Sequence, residues 1–127
     1  MSKIILDASA ILALLNQEKG FEKVQEVLGS AIVSSVNLAE VVTRLALIGM
    51  PVRDIKEVLG LLSLEMVPFD DKQAMLAGLM ATETKPLGLS LGDRACLAVG
   101  LAYDLPVLTA DRNWTSLKTD VRVNTLR

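Results

Sequence analysis

At 127 residues, 51% of them hydrophobic and with a formal net charge of −2 at neutral pH, the chain has the size of one domain, 1–127, with a substantial core. The absence of histidine excludes Ser-His-Asp catalysis and His-ligated zinc, and the single Cys96 excludes internal disulfides and cysteine-rich metal sites. A pI near 5.1 and 3% aromatic residues argue against a protein that coats nucleic acid through a basic, base-stacking face.

The first element is "KIIL" at 3–6, a short strand that runs through Asp7 into a helix beginning near Ser9. Burying an unpaired carboxylate is costly, so Asp7 needs a capping role, a cation or a partner. Residues 4–15 could pass for a signal sequence, but Asp7 interrupts the apolar run and no small-residue cleavage site follows. No run approaches the ~18–20 apolar residues of a membrane span, so the expectation is a soluble, cytoplasmic protein.

A second β-rich run, "AIVS" at 31–34, leads into "VNLAEVVTRLALIG", where Leu38, Val41, Val42, Leu45 and Ile48 recur on one helical face. Glu40 lies in this helix four residues before Arg44, the spacing of a surface ion pair, yet its neighbours Ala39, Val41 and Val42 are apolar. Gly49 and Pro51 end the helix, and "VRDIKEVLGLL" starts another. Val52, Ile55, Val58, Leu59 and Leu62 lie at helical spacing in it. Core packing accounts for most of this apolar surface. The high mean hydropathy of +0.44 suggests that part of the helix pair 36–49 and 52–62 stays open for a partner.

"LEMVP" at 64–68 reads as a third strand, and "DDKQAMLAGLMATE" as a helix opened by acids. In "SLGD", Ser90 precedes Asp93 by three, a capping-box spacing with Asp in place of the usual Glu. The segment that follows, "LGDRACLAVGLAYDL", is apolar nearly all round after Arg94, as a central buried helix would be. "PVLT" at 106–109 is a fourth strand, Asp111 in "TADRNW" is placed for an Asx turn, and "VRVNT" at 121–125 is a fifth strand.

Strands alternating with helices imply βαβ units: an α/β fold with a mostly parallel sheet covered on both faces. Ligands in such folds gather beyond the carboxyl ends of the strands. Asp7 follows the first strand and Asp111 the fourth, while Glu40 and Asp93 lie early in helices. Each acid alone has an ordinary structural explanation. Together the four can converge on one cleft, where like charges need a cation between them. An all-oxygen site suits Mg²⁺ or Mn²⁺, and Ser9, Thr109 and Asn113 are polar groups available to support the ligands. Neither GxxxxGK[ST] nor GxGxxG occurs, so the common nucleotide cradles are absent.

At these residues the chain resembles the PIN-domain nucleases, and among them the VapC-like toxins of toxin–antitoxin pairs. "IILDASAILALL" is similar to the family's opening strand with its first metal acid, Asp7, and "SVNLAEVVTRL" to the segment of the second, Glu40. "LSLGDRACLAVGLAYDLPVLTAD" is the most specific stretch and matches the third and fourth acids, Asp93 and Asp111. Trp114 stands where the family often has an aromatic. The resemblance spans the whole chain. It implies a three-layer α/β/α sandwich with strand order 3-2-1-4-5, a homodimer and a cognate antitoxin, and such an antitoxin could inhibit by inserting an Arg or Lys into the acidic site. It further implies a metal-dependent endoribonuclease whose RNA products carry 5′-phosphate and 3′-hydroxyl ends. Arg94 or Arg112 would then either stabilise transition-state charge or screen the acid beside it in sequence.

The alternative is a non-catalytic PIN-like module that binds RNA or protein. Two phosphotransfer folds fit less well. A haloacid-dehalogenase-like phosphatase needs DxD after its first strand, where this chain has Ser9, and a receiver domain has no counterpart in the surroundings of Asp70 and Asp71.

Overall fold

Short runs of Ile, Leu and Val form the strands: Ile4–Leu6 (β1), Ala31–Ser34 (β2), Glu65–Val67 (β3), Val107–Thr109 (β4) and Val123–Thr125 (β5). In this computed structural model, which describes residues 2–127, they make one sheet in the order β3-β2-β1-β4-β5. Every neighbouring pair is parallel, with Ile5 opposite Ile32 on one side and Val107 on the other. The helices are Ala8–Leu15 (α1), Phe21–Val27 (α2), Ser35–Leu47 (α3), Val52–Leu62 (α4), Asp71–Leu79 (α5), Ala81–Thr84 (α6) and Leu91–Tyr103 (α7).

The two-residue period of a strand divides the core in two. Leu6, Val33 and Leu108 join Ala10, Ile11, Val24, Val41, Leu45 and Ile55 on the side of α1 to α4. Ile5, Ile32 and Val107 point the other way, to Cys96, Leu97 and Val99 of α7 and to Trp114. The fold is therefore the three-layer α/β/α sandwich, with the expected strand order. Each fully buried Leu, Ile or Val stabilises it by about 1.5–3 kcal/mol.

As its composition predicts, α7 is buried nearly all round, from Gly92 through Ala95–Gly100. Gly100 permits its close approach to the sheet: a Cβ there would lie 2.8 Å from Val121 Cγ1 and 3.1 Å from the Leu105 carbonyl oxygen. α7 also packs against β1, β2 and α3. Among the described residues, no helix is long and apolar enough to cross a membrane.

Two segments differ from the sequence expectation. The helix expected across 70–83 divides at Met80 into α5 and α6, and a 3-10 turn, Lys85–Leu87, follows. Asp70 and Asp71 serve this element alone: the Asp70 side chain caps α5 by accepting from the Gln73 amide, and Asp71 lies in its first turn. After Asp111 the chain makes a 3-10 turn, Arg112–Ser116, which drops Trp114 into the core at 1% exposure.

Candidate functional site

Because β1 and β4 are adjacent and parallel, Asp7 and Asp111 follow the same, carboxyl end of the strands. Asp7 is the N-cap of α1, and its Oδ1 accepts from the Ala10 amide at 2.9 Å. The Ser9 hydroxyl donates to the same carboxylate at 2.7 Å, and the Thr109 hydroxyl donates to its Oδ2 at 2.6 Å. Both hydroxyls are held in turn: Ser9 Oγ accepts from the Ala110 amide and Thr109 Oγ1 from the Asp111 amide. The carboxylate is only 4% exposed. Burial pushes its pKa up to about 6 from the ordinary 3.8, against the pull of the hydrogen bonds from Thr109, Ala10 and Ser9, and the negative charge of Asp93 adds to the rise.

Glu40 enters from the second turn of α3. The buried Asn37, one turn earlier, donates from Nδ2 both to Glu40 Oε1 at 2.8 Å and to the Gly92 carbonyl at 2.9 Å. Asp93 closes a reciprocal capping box at the start of α7: Ser90 Oγ accepts from the Asp93 amide, and Asp93 Oδ2 from the Ser90 amide. Asp111 Oδ1 accepts from the Asn113 amide, the expected Asx turn.

The four carboxylates line one open cleft of about 230 Å³, together with Ala8, Ser9, Leu12 and Asn37. Beneath it, the wholly buried Cys96 thiol is raised first by burial and then by the charges of Asp7, Asp93 and Glu40. A larger cavity of about 560 Å³ lies elsewhere, between α5, α6, α7 and residues 117–120, and contains none of the four acids. The four acids therefore mark the smaller cleft as the candidate site.

Of the supporting residues suggested by sequence, Ser9 and Thr109 both bond Asp7. Asn113 is exposed, and it meets Asp111 through its backbone amide instead of its side chain. Arg94 donates to the Ala77 carbonyl of α5 at 2.9 Å, so it neither pairs with Asp93 nor turns into the cleft. Arg112 is exposed. Among the described residues, the ion pairs are Lys3–Glu65, Arg53–Asp54 and Arg127–Glu18, so the Glu40–Arg44 pair that the spacing allows is not made. Asn37 and Gly92 are the site residues that sequence reasoning passed over. A lone Asn three residues before the acid of an apolar helix is their only trace in the sequence.

The donor set consists of carboxylate oxygens, which fits a hard divalent cation. Its present spacing is looser than a coordination shell: among the described residues, no three His, Cys, Asp or Glu side chains form a group that could hold a metal ion as they stand. Shared lining of the cleft and ready-made coordination are separate matters.

A family model described as the PIN domain matches residues 4–119. No curated protein matches the sequence significantly. Among solved structures, the chain is similar to one of DNA-bound VapBC from Salmonella typhimurium, with TM-score 0.78 and 22% identity over 100% of both chains. It is also similar to a toxin–antitoxin complex from Klebsiella pneumoniae, with TM-score 0.77 and 15% identity over 98% of each chain. A third likeness is to FitAcB from Neisseria gonorrhoeae, with TM-score 0.68 and 22% identity over 97% of each. At these identities the likeness concerns the fold.

Proposed function

The chain belongs to the PIN-domain family, and from that premise we propose that it is the toxin of a toxin–antitoxin pair, a metal-dependent endoribonuclease. The observation that carries this reading is the cleft itself: four carboxylates from four separate segments line it, and no cationic side chain of the ion pairs described above enters it. Carboxylates assembled without a protein cation have an obvious use in holding a metal ion.

Asp7, Glu40, Asp93 and Asp111 would hold Mg²⁺ or Mn²⁺. When bound, such an ion supplies an ionised water near neutral pH and offsets negative charge on a phosphodiester. The chain's own part is to present the oxygens. Ser9 and Thr109 fix the Asp7 carboxylate from two sides, and the capping box restrains Asp93. With no histidine available, no imidazole serves as general base.

Partner binding follows from the outer surface. Leu47, Ile48, Val52 and Leu61 of the α3–α4 hairpin are 80, 66, 67 and 78% exposed, while Ile55 of the same hairpin is buried and Leu59 packs against the core. An apolar patch of this kind suits a partner helix or a second copy of the chain. Two of the similar structures are described as a VapBC assembly and a toxin–antitoxin complex, which supports a cognate antitoxin here.

The competing reading is a non-catalytic PIN-like binding module, favoured by the lack of a ready-made three-ligand group among the described residues. Incubating single-stranded RNA with the purified protein, with and without Mg²⁺, decides between them. Cleavage that requires the metal and stops in EDTA supports the nuclease. Binding without cleavage, or full cleavage in excess EDTA, sinks it.

A further inference from the structure

We infer that Asn37 and Gly92 are positioning residues that together seat the Glu40 carboxylate at the first turn of α7, beside Asp93. Asn37 is 1% exposed, and both protons of its amide are committed, one to Glu40 Oε1 at 2.8 Å and one to the Gly92 carbonyl at 2.9 Å. It thereby ties α3 to α7 at the point where each contributes an acid. Gly92 completes the seat by having no side chain: a Cβ there would lie 2.5 Å from Glu40 Cδ. The carboxylate occupies the space that any other residue at 92 would fill.

One feature of the arrangement runs against stability. Asn37 Oδ1 is buried with no hydrogen-bond partner, and an unmatched buried acceptor is destabilising. Gly92 lies in the first turn of α7, where its carbonyl already has a regular helical acceptor role. An apolar side chain of the same shape at position 37 would remove the orphaned oxygen and leave the helix intact. What it would lose is the donor that holds Glu40. The two protons of the amide explain why a hydroxyl does not serve here, since it could satisfy only one of the two acceptors.

The inference rests on the metal-ion reading of the cleft, but its first test does not. Crystal structures of Asn37→Leu and Gly92→Ala are determined in EDTA. The Glu40 carboxylate is expected to leave its seat in both, with the backbones of α3 and α7 unmoved. A carboxylate that stays in place overturns the proposal. The second test is the rise in melting temperature caused by Mn²⁺, for wild type, Asn37→Leu, Glu40→Gln and the double variant. Asn37→Leu is expected to stay folded without metal, yet to bind Mn²⁺ roughly 10- to 100-fold more weakly. The double variant should respond no less than Glu40→Gln alone. A metal-free Tm loss in Asn37→Leu, with the Mn²⁺ affinity unchanged, assigns the residue a structural role and overturns the proposal. A wild type without any Mn²⁺ response defeats the metal reading instead, and the metal-free crystal structures still decide whether Asn37 and Gly92 seat Glu40.

Discussion

Thr109 donates its hydroxyl proton to Asp7 Oδ2 across 2.6 Å, although 102 residues separate them in the chain. The same hydroxyl accepts from the Asp111 amide, so one buried side chain at the end of β4 links two of the four acids. The link exists because β1 and β4 run side by side with Leu6 opposite Leu108. Thr109→Val keeps the shape and removes both bonds. It leaves the Asp111 amide without its acceptor and is expected to cost about 1–3 kcal/mol in urea unfolding. The metal-free Asp7 titration should also move above pH 6, because a bond that favours the carboxylate is gone. Thr109→Ser should restore the titration. An unchanged Asp7 titration in Thr109→Val would show that the hydroxyl does not hold the carboxylate.

The raised pKa of Asp7 makes metal-free stability depend on pH in a defined direction. The native carboxyl keeps its proton up to about pH 6, whereas in the unfolded chain it loses it near 3.8. Between these values the native state binds more protons, so stability falls as pH rises and this contribution is lost above about pH 6. The shift corresponds to roughly 3 kcal/mol. Asp7→Asn should therefore be more stable than wild type at pH 8 in EDTA, with the difference shrinking towards pH 4, while RNA cleavage is abolished. Urea melts at pH 4, 6 and 8 give the comparison. A difference independent of pH means that Asp7 is not destabilised by its ionisation.

The frame of the site was legible in the sequence because strands of alternating inward contacts need little more than Ile, Leu and Val, as in "AIVS" at Ala31–Ser34. Strand ends elsewhere fell one or two residues inside the β-rich runs, as at Val123–Thr125 within 121–125. The seven-residue α2 buries only Val24 completely, too little to print a helical period. Asp7, Asp93 and Asp111 could each be read as a cap or as a ligand. In the structure all three cap or turn the backbone and also line one cleft, so the capping role does not exclude the other. Asn37 and Gly92 were illegible for another reason. Their meaning lies in a hydrogen bond across 55 residues and in a missing methyl, neither of which has a local pattern.

The exposed leucines of the α3–α4 hairpin allow partner binding to be tested apart from folding. Leu61 is 78% exposed and Leu47 is 80% exposed, so changing either to Glu removes little buried surface. Stability should stay within about 0.5 kcal/mol of wild type. If the patch seats an antitoxin, both variants should remain harmful when expressed alone and should no longer be neutralised by a co-expressed antitoxin gene that neutralises wild type. Colony counts with and without that gene provide the measurement. Full neutralisation of both variants would move the antitoxin contact elsewhere on the surface.

Asp93→Asn separates the capping role of Asp93 from its charge. An amide oxygen can still accept from the Ser90 amide, so the capping box at the start of α7 survives and metal-free melting should change little. The negative charge is lost from a cleft where it already acts on Asp7. A ligand that binds only the folded state stabilises it by about 2.7 kcal/mol at about a hundred times its dissociation constant. That is the gain expected of wild type with Mn²⁺ if the site holds the ion. Asp93→Asn should gain far less at the same concentration, and its RNA cleavage should collapse with the fold intact. Equal stabilisation of both proteins would place the ion away from Asp93. Loss of the fold in Asp93→Asn would mean that the carboxylate charge, beyond its oxygen, is needed to begin the helix.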